Sequence, residues 1–286
     1  MKFSLITTLY NEGDNILNFL DSYKNQTKYA DEFIIVDGGS IDGTIDIINN
    51  YANKYKDLNL RLIVDKTCSK KHIAGPVAKG RNVAIENSNF DYIAVTDAGC
   101  ILDKNWFEEI VKPFEDNSVD VVAGWYEANI TNNFQKEYAN IAMPKLETVD
   151  RKNFLPSSRS IAFKKSCWKK VRMYPTMTYT AEDTLFDVKL KTEGFKFYFA
   201  EKAFVYWDCP FDLEDAKKKH FSYGYGDGQL RLFKKEFIIG LIKLILPIQI
   251  FKNMPYLDKM FMKYILLYSN HKGYLKGYLN GLDTIK

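Results

Sequence analysis

The chain has 286 residues, 46% hydrophobic and 27% charged, which is enough apolar material for one large domain or two modest ones and argues against a disordered chain. Lys and Arg outnumber Asp and Glu by 40 to 36, and 13 basic against 6 acidic residues fall from Glu214 onward, so the tail is the basic part. Four cysteines (Cys68, Cys100, Cys167, Cys209) lie far apart without a C-x-x-C pair and three histidines (His72, His220, His271) are equally scattered; a zinc site is not expected, and a reduced intracellular compartment fits best.

"MKFSLITTLYNE" carries one Lys and a short apolar run but no small-residue cleavage site, so it reads as a first strand and not a signal peptide. Strand-like runs then alternate with helical spacing. Phe3 to Leu9 precedes Ile16, Phe19, Leu20 and Tyr23; Phe33 to Val36 precedes Ile45, Ile48, Ala52 and Tyr55. Leu60 to Val64 is a third strand, Arg81 to Asn87 a short helix, and Tyr92 to Thr96 a fourth strand. The alternation predicts an α/β fold with a mostly parallel sheet and helices on both faces.

Asp103 is expected to cap a helix carrying Trp106, Phe107 and Ile110; "DVVAGWY" (120–126) and "SRSIAFKKS" (158–166) read as strands or strand ends. A helix starting near Thr180 or Ala181 and stopping at Gly194 is followed by two short aromatic strands, and after Pro210 the texture is helical. "FIIGLIKLILPIQIF" (237–251) would span only about 22 Å as a helix, against roughly 30 Å of hydrocarbon, and Pro247 interrupts it. Leu257, Met260, Phe261, Tyr264, Ile265 and Tyr268 make one apolar helical face, with Asp258, Lys259 and Lys263 opposite.

In parallel sheets ligands sit beyond the carboxyl ends of the strands. Tyr10, Asn11 and Glu12 follow the first strand, Asp37 the second and Asp97 the fourth, although turns favour such residues for conformational reasons too.

"TTLYNEGDNI", "FIIVDGGSIDGT", "AKGRNVAIENS", "YIAVTDAGC" and "AEDTLFDVKLKTEGFKFYFAEKAFVYW" occur in this order. Together they resemble glycosyltransferase family 2, inverting enzymes whose catalytic domain has the GT-A fold, over roughly Lys2 to Trp207. The resemblance implies a GT-A domain over residues 1–210, with a nucleotide-binding half (1–100) and an acceptor half (101–210), ahead of a basic helical region (211–286). It also implies transfer of a sugar from a UDP- or GDP-linked donor to a glycan, lipid-linked or polymer acceptor, with no organic cofactor and no nucleic-acid partner.

By the same resemblance Asp183 of "AEDTLF" is the general base, with Glu182 beside it; an inverting displacement needs one carboxylate on the face opposite the leaving diphosphate. The helix dipole also favours acids in a first turn, a structural alternative for both. The donor-binding set is Thr8, Tyr10, Glu12, Asp37, Lys79, Arg81, Asp97, Ala98, His220 and Arg231. Asp37 would accept an N–H of the base, unless "DGGS" is only a tight turn; Tyr10 would stack on the base, and Glu12 would lie near the nucleoside. Lys79, Arg81 and Asn82 match the segment that brings a basic side chain to the pyrophosphate, whereas Lys66, Lys70 and Lys71 read as loop charges. His220, Tyr223, Asp227 and Arg231 would close over the donor.

The family's usual D-x-D is D-A-G here. Asp97 keeps the first acid, Gly99 has no side chain and Cys100 is a poor ligand for a hard cation, so Mg²⁺ or Mn²⁺ would be held only weakly, at Asp97. That gap also feeds a rival reading, a catalytically impaired sugar-nucleotide-binding module, which the intact Glu182–Asp183 pair opposes. A sugar nucleotidyltransferase is disfavoured because "YNEGDN" is acidic and lacks a Gly-rich phosphate loop. The basic C-terminal helices are expected either to meet the inner face of the cytoplasmic membrane peripherally or to pack on the protein or in a homodimer.

Overall fold

Strands β1 (Phe3–Leu9), β2 (Glu32–Asp37), β3 (Leu60–Val64) and β4 (Tyr92–Val95) pair in parallel in the order β3-β2-β1-β4. β1 and β2 are buried almost throughout because helices cover both faces, which is why they read as continuous apolar runs. The sheet continues through β7 (Ile161–Lys164), β6 (Val121–Ala128), β8 (Phe197–Trp207) and β5 (Cys100–Leu102). Here the β4–β7, β6–β7 and β5–β8 pairings are antiparallel, so the parallel order expected from the alternation is confined to one half.

The computed structural model describes residues 1–13, 15–246 and 257–281. The chain forms two compact units: Met1–Glu127 with Lys145–Asp208, and Ala128–Pro144 with Cys209–Lys286. The first contains the sheet with α1 (Asn15–Lys24), α2 (Thr44–Lys54), α3 (Pro76–Glu86), α4 (Trp106–Val111), α6 (Lys165–Lys170) and α7 (Glu182–Thr192). On one face Ile6, Ile34, Val36, Ile93 and Val95 share a core with Ala78, Val83 and Ala84 of α3 and Phe186 and Leu190 of α7.

Several elements differ from expectation. α3 starts at Pro76 and not Arg81, because proline suits a helix's first turn, and Gly80 within it lies against β1 where a Cβ would collide with Thr8 Oγ1. Asp103 does not cap α4. Asn105 holds the N-cap position, and Asp103 Oδ1 instead accepts the Asn105 N–H at 3.0 Å in the turn before it. The two aromatic strands after Gly194 are one, β8, which runs through the exposed Glu201 and Lys202.

The second unit is helical: α5 (Asn133–Ala142), α8 (Leu213–Gln229), α9 (Lys234–Ile245) and α10 (Leu257–Leu279). Asn132 and Asp212 cap α5 and α8, each side chain accepting an N–H three residues on, from Gln135 and Asp215. α8 and α10 touch backbone to backbone. A Cβ on Gly224 or Gly228 would strike the carbonyls of Asn270 or Tyr274, and one on Gly273 or Gly277 those of Phe221 or Tyr225. The glycines therefore choose the buried face of α10. Phe261 and Tyr268, expected on its apolar face, are 62% and 53% exposed, while Leu266 and Tyr274 are buried. Residues 247–251 of the long apolar stretch lie outside the described residues. Among the described residues no helix is long and apolar enough to cross a membrane.

Candidate active site

A cavity of about 710 Å³ opens beyond the carboxyl ends of β1 and β2, with Thr8, Tyr10 and Glu12 on one wall and Gly38 and Gly39 on another. The two loops are stitched together: Asn11 N–H donates to Ser40 Oγ, Ile41 N–H to Asn11 Oδ1, and the N–H groups of Glu12 and Gly13 to Thr44 Oγ1. Asp37 is fully buried. Its carboxylate accepts the Gly39 and Ser40 N–H groups and the Ser40 hydroxyl at 2.6–2.7 Å, as a tight-turn role for D-G-G-S requires. Burial, then Asp208, Asp42 and Asp97, raise the Glu12 pKa.

The loop after β3 forms the remaining wall, bringing Lys66, Lys70, Lys71 and His72 to the cavity. Tyr179 also lines the cavity, and Lys70 Nζ lies 3.8 Å from its ring centroid. Lys79 is half-buried on α3, where its charge acts on Asp65 and Cys68.

Deeper, α3 delivers Arg81 to a cluster of acids. Its Nη2 lies 2.7 Å from Asp97 Oδ1 and its Nη1 2.8 Å from Glu182 Oε1, with the side chain only 3% exposed. Burial opposes the guanidinium charge, but Asp97 and Glu182 outweigh it and the pKa rises. Glu182 shifts up despite its ion pair, because its own burial and the adjacent Asp183 exceed the pull of an arginine shared with Asp97. Ala98 is buried beside Asp97.

Asp183 begins α7 half-buried, with Oδ1 accepting the Thr184 N–H at 2.8 Å and Oδ2 the Ser158 N–H at a long 3.4 Å. The residue before the pair, Ala181, is left-handed at φ 64°, a conformation costly for any residue with a Cβ. One helical turn beyond Asp183, Asp187 is 1% exposed and neither carboxyl oxygen has a hydrogen-bond partner. Burial first, then Asp183, push its pKa well above the ordinary carboxyl range.

Thus Thr8, Tyr10 and Glu12 share one cavity, and Arg81 gathers Asp97 and Glu182. His220 and Arg231 belong to the helical unit. His220 Nε2 lies 3.2 Å from the Tyr138 hydroxyl and burial lowers its pKa to about 4, so it is neutral at pH 7; Arg231 sits over the Tyr278 ring at 5.3 Å. Sequence reasoning missed Asp187, Tyr179 and Arg159, whose guanidinium lies over Trp207 at 4.2 Å and Tyr126 at 5.0 Å. It also discounted Lys66, Lys70 and Lys71, although a basic run between a strand's carboxyl end and the next helix was a usable signal.

The divalent ion implied by the sequence resemblance does not fit a tight site in these residues. Gly99 brings no donor, Asp97 Oδ1 is engaged by Arg81, and among the described residues no three His, Cys, Asp or Glu side chains gather as a ligand set.

The sequence profile of "Glycosyl transferase family 2" matches residues 4–174, which takes in the cavity loops and the Arg81–Asp97 pair. The chain belongs to glycosyltransferase family 2. Among family 2 proteins it is 29% identical over 189 residues to the poly(ribitol-phosphate) beta-glucosyltransferase of Bacillus spizizenii, covering 65% of this chain and 29% of that one. It is 25% identical over 236 residues to the O-antigen chain rhamnosyltransferase RfbN of Salmonella typhimurium, covering 78% of this chain and 72% of that one. The chain therefore spans under a third of the glucosyltransferase. In structure it resembles TarS of Staphylococcus aureus (TM-score 0.57, 22% identity, covering 100% of this chain and 46% of that one). It also resembles the mannosyltransferase PcManGT from Pyrobaculum calidifontis, solved with GDP-Man and Mn²⁺ (TM-score 0.62, 18% identity, covering 97% and 73%). The fold of this family 2 member is GT-A.

Proposed function

We propose that the protein transfers a sugar from a nucleotide-sugar donor to a hydroxyl of a cell-envelope glycan or polymer, with inversion, and that Asp183 is the general base. The observation that carries this is the division of labour between two adjacent acids. Glu182 is tied to Arg81, whereas Asp183, half-buried, makes no ion pair among the described residues and accepts the N–H groups of Thr184 and Ser158. An acceptor hydroxyl meeting Asp183 would give up its proton as its oxygen attacks the anomeric carbon and the nucleoside diphosphate leaves from the opposite face. The nucleoside would occupy the cavity of Tyr10 and Glu12, with Tyr10, 50% exposed, available for stacking.

The poly(ribitol-phosphate) and O-antigen chain in the names of similar proteins support a hydroxyl-rich polymer acceptor. The helical unit suits a peripheral surface or a second copy. α9 exposes Ile238, Ile239, Ile242 and Ile245, and Lys234, Lys235 and Lys243 lie on the same helix.

Incubating the protein with UDP-, GDP- and dTDP-sugars and measuring free nucleoside diphosphate tests the reading. Release from one donor class supports transfer. Binding of a donor without release, even with polymer acceptors present, would favour the impaired binding module, which Gly99 alone recommends.

A further inference from the structure

A departing diphosphate needs positive charge, and two of the sources that the sequence offers, a cation at Asp97 and the Arg81 guanidinium, are not free to give it. Asp97 and Gly99 make no tight cation site, and the Arg81 guanidinium already serves two carboxylates. We propose that Lys70, steadied over Tyr179, together with Lys66 and Lys71, neutralises the donor diphosphate in place of a tightly bound metal ion. The inference rests on the donor reading above.

Three observations converge on this loop. Lys66, Lys70 and Lys71 line one cavity in which Glu12 is the single acid, and burial raises the pKa of Glu12. None of the three lysines takes part in an ion pair among the described residues, in contrast to Arg81, which pairs with Asp97 and Glu182. The third is placement. Tyr179 lies four residues before Asp183, so the Lys70 ammonium, 3.8 Å from that ring, stands at the border between the nucleoside cavity and the acids of α7. A diphosphate joining a nucleoside in that cavity to a sugar attacked from the Asp183 side would lie along that border. An aromatic face holds an ammonium in position without cancelling its charge, unlike a carboxylate partner.

Calorimetry on the full chain tests this with UDP, GDP and dTDP and their nucleosides, in EDTA and in Mn²⁺. One diphosphate is expected to bind in EDTA within a few-fold of its affinity in Mn²⁺. Lys70→Ala should weaken that diphosphate about tenfold or more while leaving the nucleoside unchanged, and Lys70→Arg should retain most of the affinity. If affinity in EDTA drops to that of the nucleoside and micromolar Mn²⁺ restores it, a metal holds the diphosphate; the lysine assignment falls and the donor reading stands. Equal affinity of Lys70→Ala and the parent for the diphosphate would also overturn it. If none of the three diphosphates binds with or without metal, the donor reading itself fails and takes this inference with it.

Discussion

Arg81 and Glu182 meet at 2.8 Å across 101 positions of sequence, and the same guanidinium holds Asp97 at 2.7 Å. One buried cation thus fixes α3, the end of β4 and the start of α7 relative to one another. The arginine acts as a brace, and its worth is measured by what its removal leaves behind.

Arg81→Met keeps the bulk but strands a buried Glu182 beside Asp97 without a counter-charge. Such a change should cost about 3–5 kcal/mol in urea unfolding. Adding Glu182→Gln to Arg81→Met should recover part of the loss, because one stranded carboxylate is then gone. A single-variant cost under about 1 kcal/mol would show that solvent reaches the pair more freely than its 3% and 10% side-chain exposures indicate.

Asp183→Asn is nearly isosteric and cannot accept a proton. Turnover should fall about 10²-fold or more while calorimetric affinity for the nucleoside diphosphate stays the same. Near-parental turnover would remove Asp183 from the chemistry.

Asp187 carries a pH signature. Its folded pKa lies well above its ordinary 3.8 because of burial, then Asp183, with Arg81 and Lys191 pulling the other way; Glu182 adds to the rise, and Tyr174 shares its field. Between the ordinary and the raised value the folded chain retains a proton there that the unfolded chain releases, so stability falls as pH climbs through that window. Asp187→Asn removes that pH-dependent penalty, so its stability relative to the parent should be greater at pH 7 than near pH 4. Thermal melts at both pH values decide it: a variant destabilised equally at each would mean that Asp187 is ionised and paired.

Gly99→Asp would supply the missing acid. A Cβ at Gly99 meets nothing within 4 Å and the backbone there is not left-handed, so the side chain fits without strain. With nucleotide bound, Mn²⁺ affinity should rise about tenfold or more, since added ligand charge tightens hard-cation sites. Removing metal with EDTA should then cost the variant more nucleotide affinity than it costs the parent. Unchanged Mn²⁺ affinity would show that position 99 does not point at the cation.

The parallel half of the fold and its strand-end residues were legible because each strand is a short apolar run closed by a polar turn, as in "FIIVDGG". β5 was not, since three residues paired to β8 leave no periodicity to read. That Glu182 and Asp183 open a helix was legible in the sequence, but the Lys70–Tyr179 pair was not: it joins two loops distant in sequence, and neither shows a pattern alone. Asp187 escaped for a different reason. Its burial follows from the rotation of α7 that also buries Phe186 and Leu190, and α7 lacks the clear polar face that would have revealed that rotation.

The backbone contact of α8 with α10 makes those two helices a single mechanical part. Because glycines on each helix receive carbonyls of the other, sliding by one residue would put a side chain where only hydrogen fits, so the pair has one permitted register. It should open all at once and not fray from an end, and amide exchange along residues 221–228 and 270–277 should share one slow rate. α9, with its exposed isoleucines, should exchange earlier. A substitution as small as Gly228→Ala would then act as a wedge, felt along both helices at once.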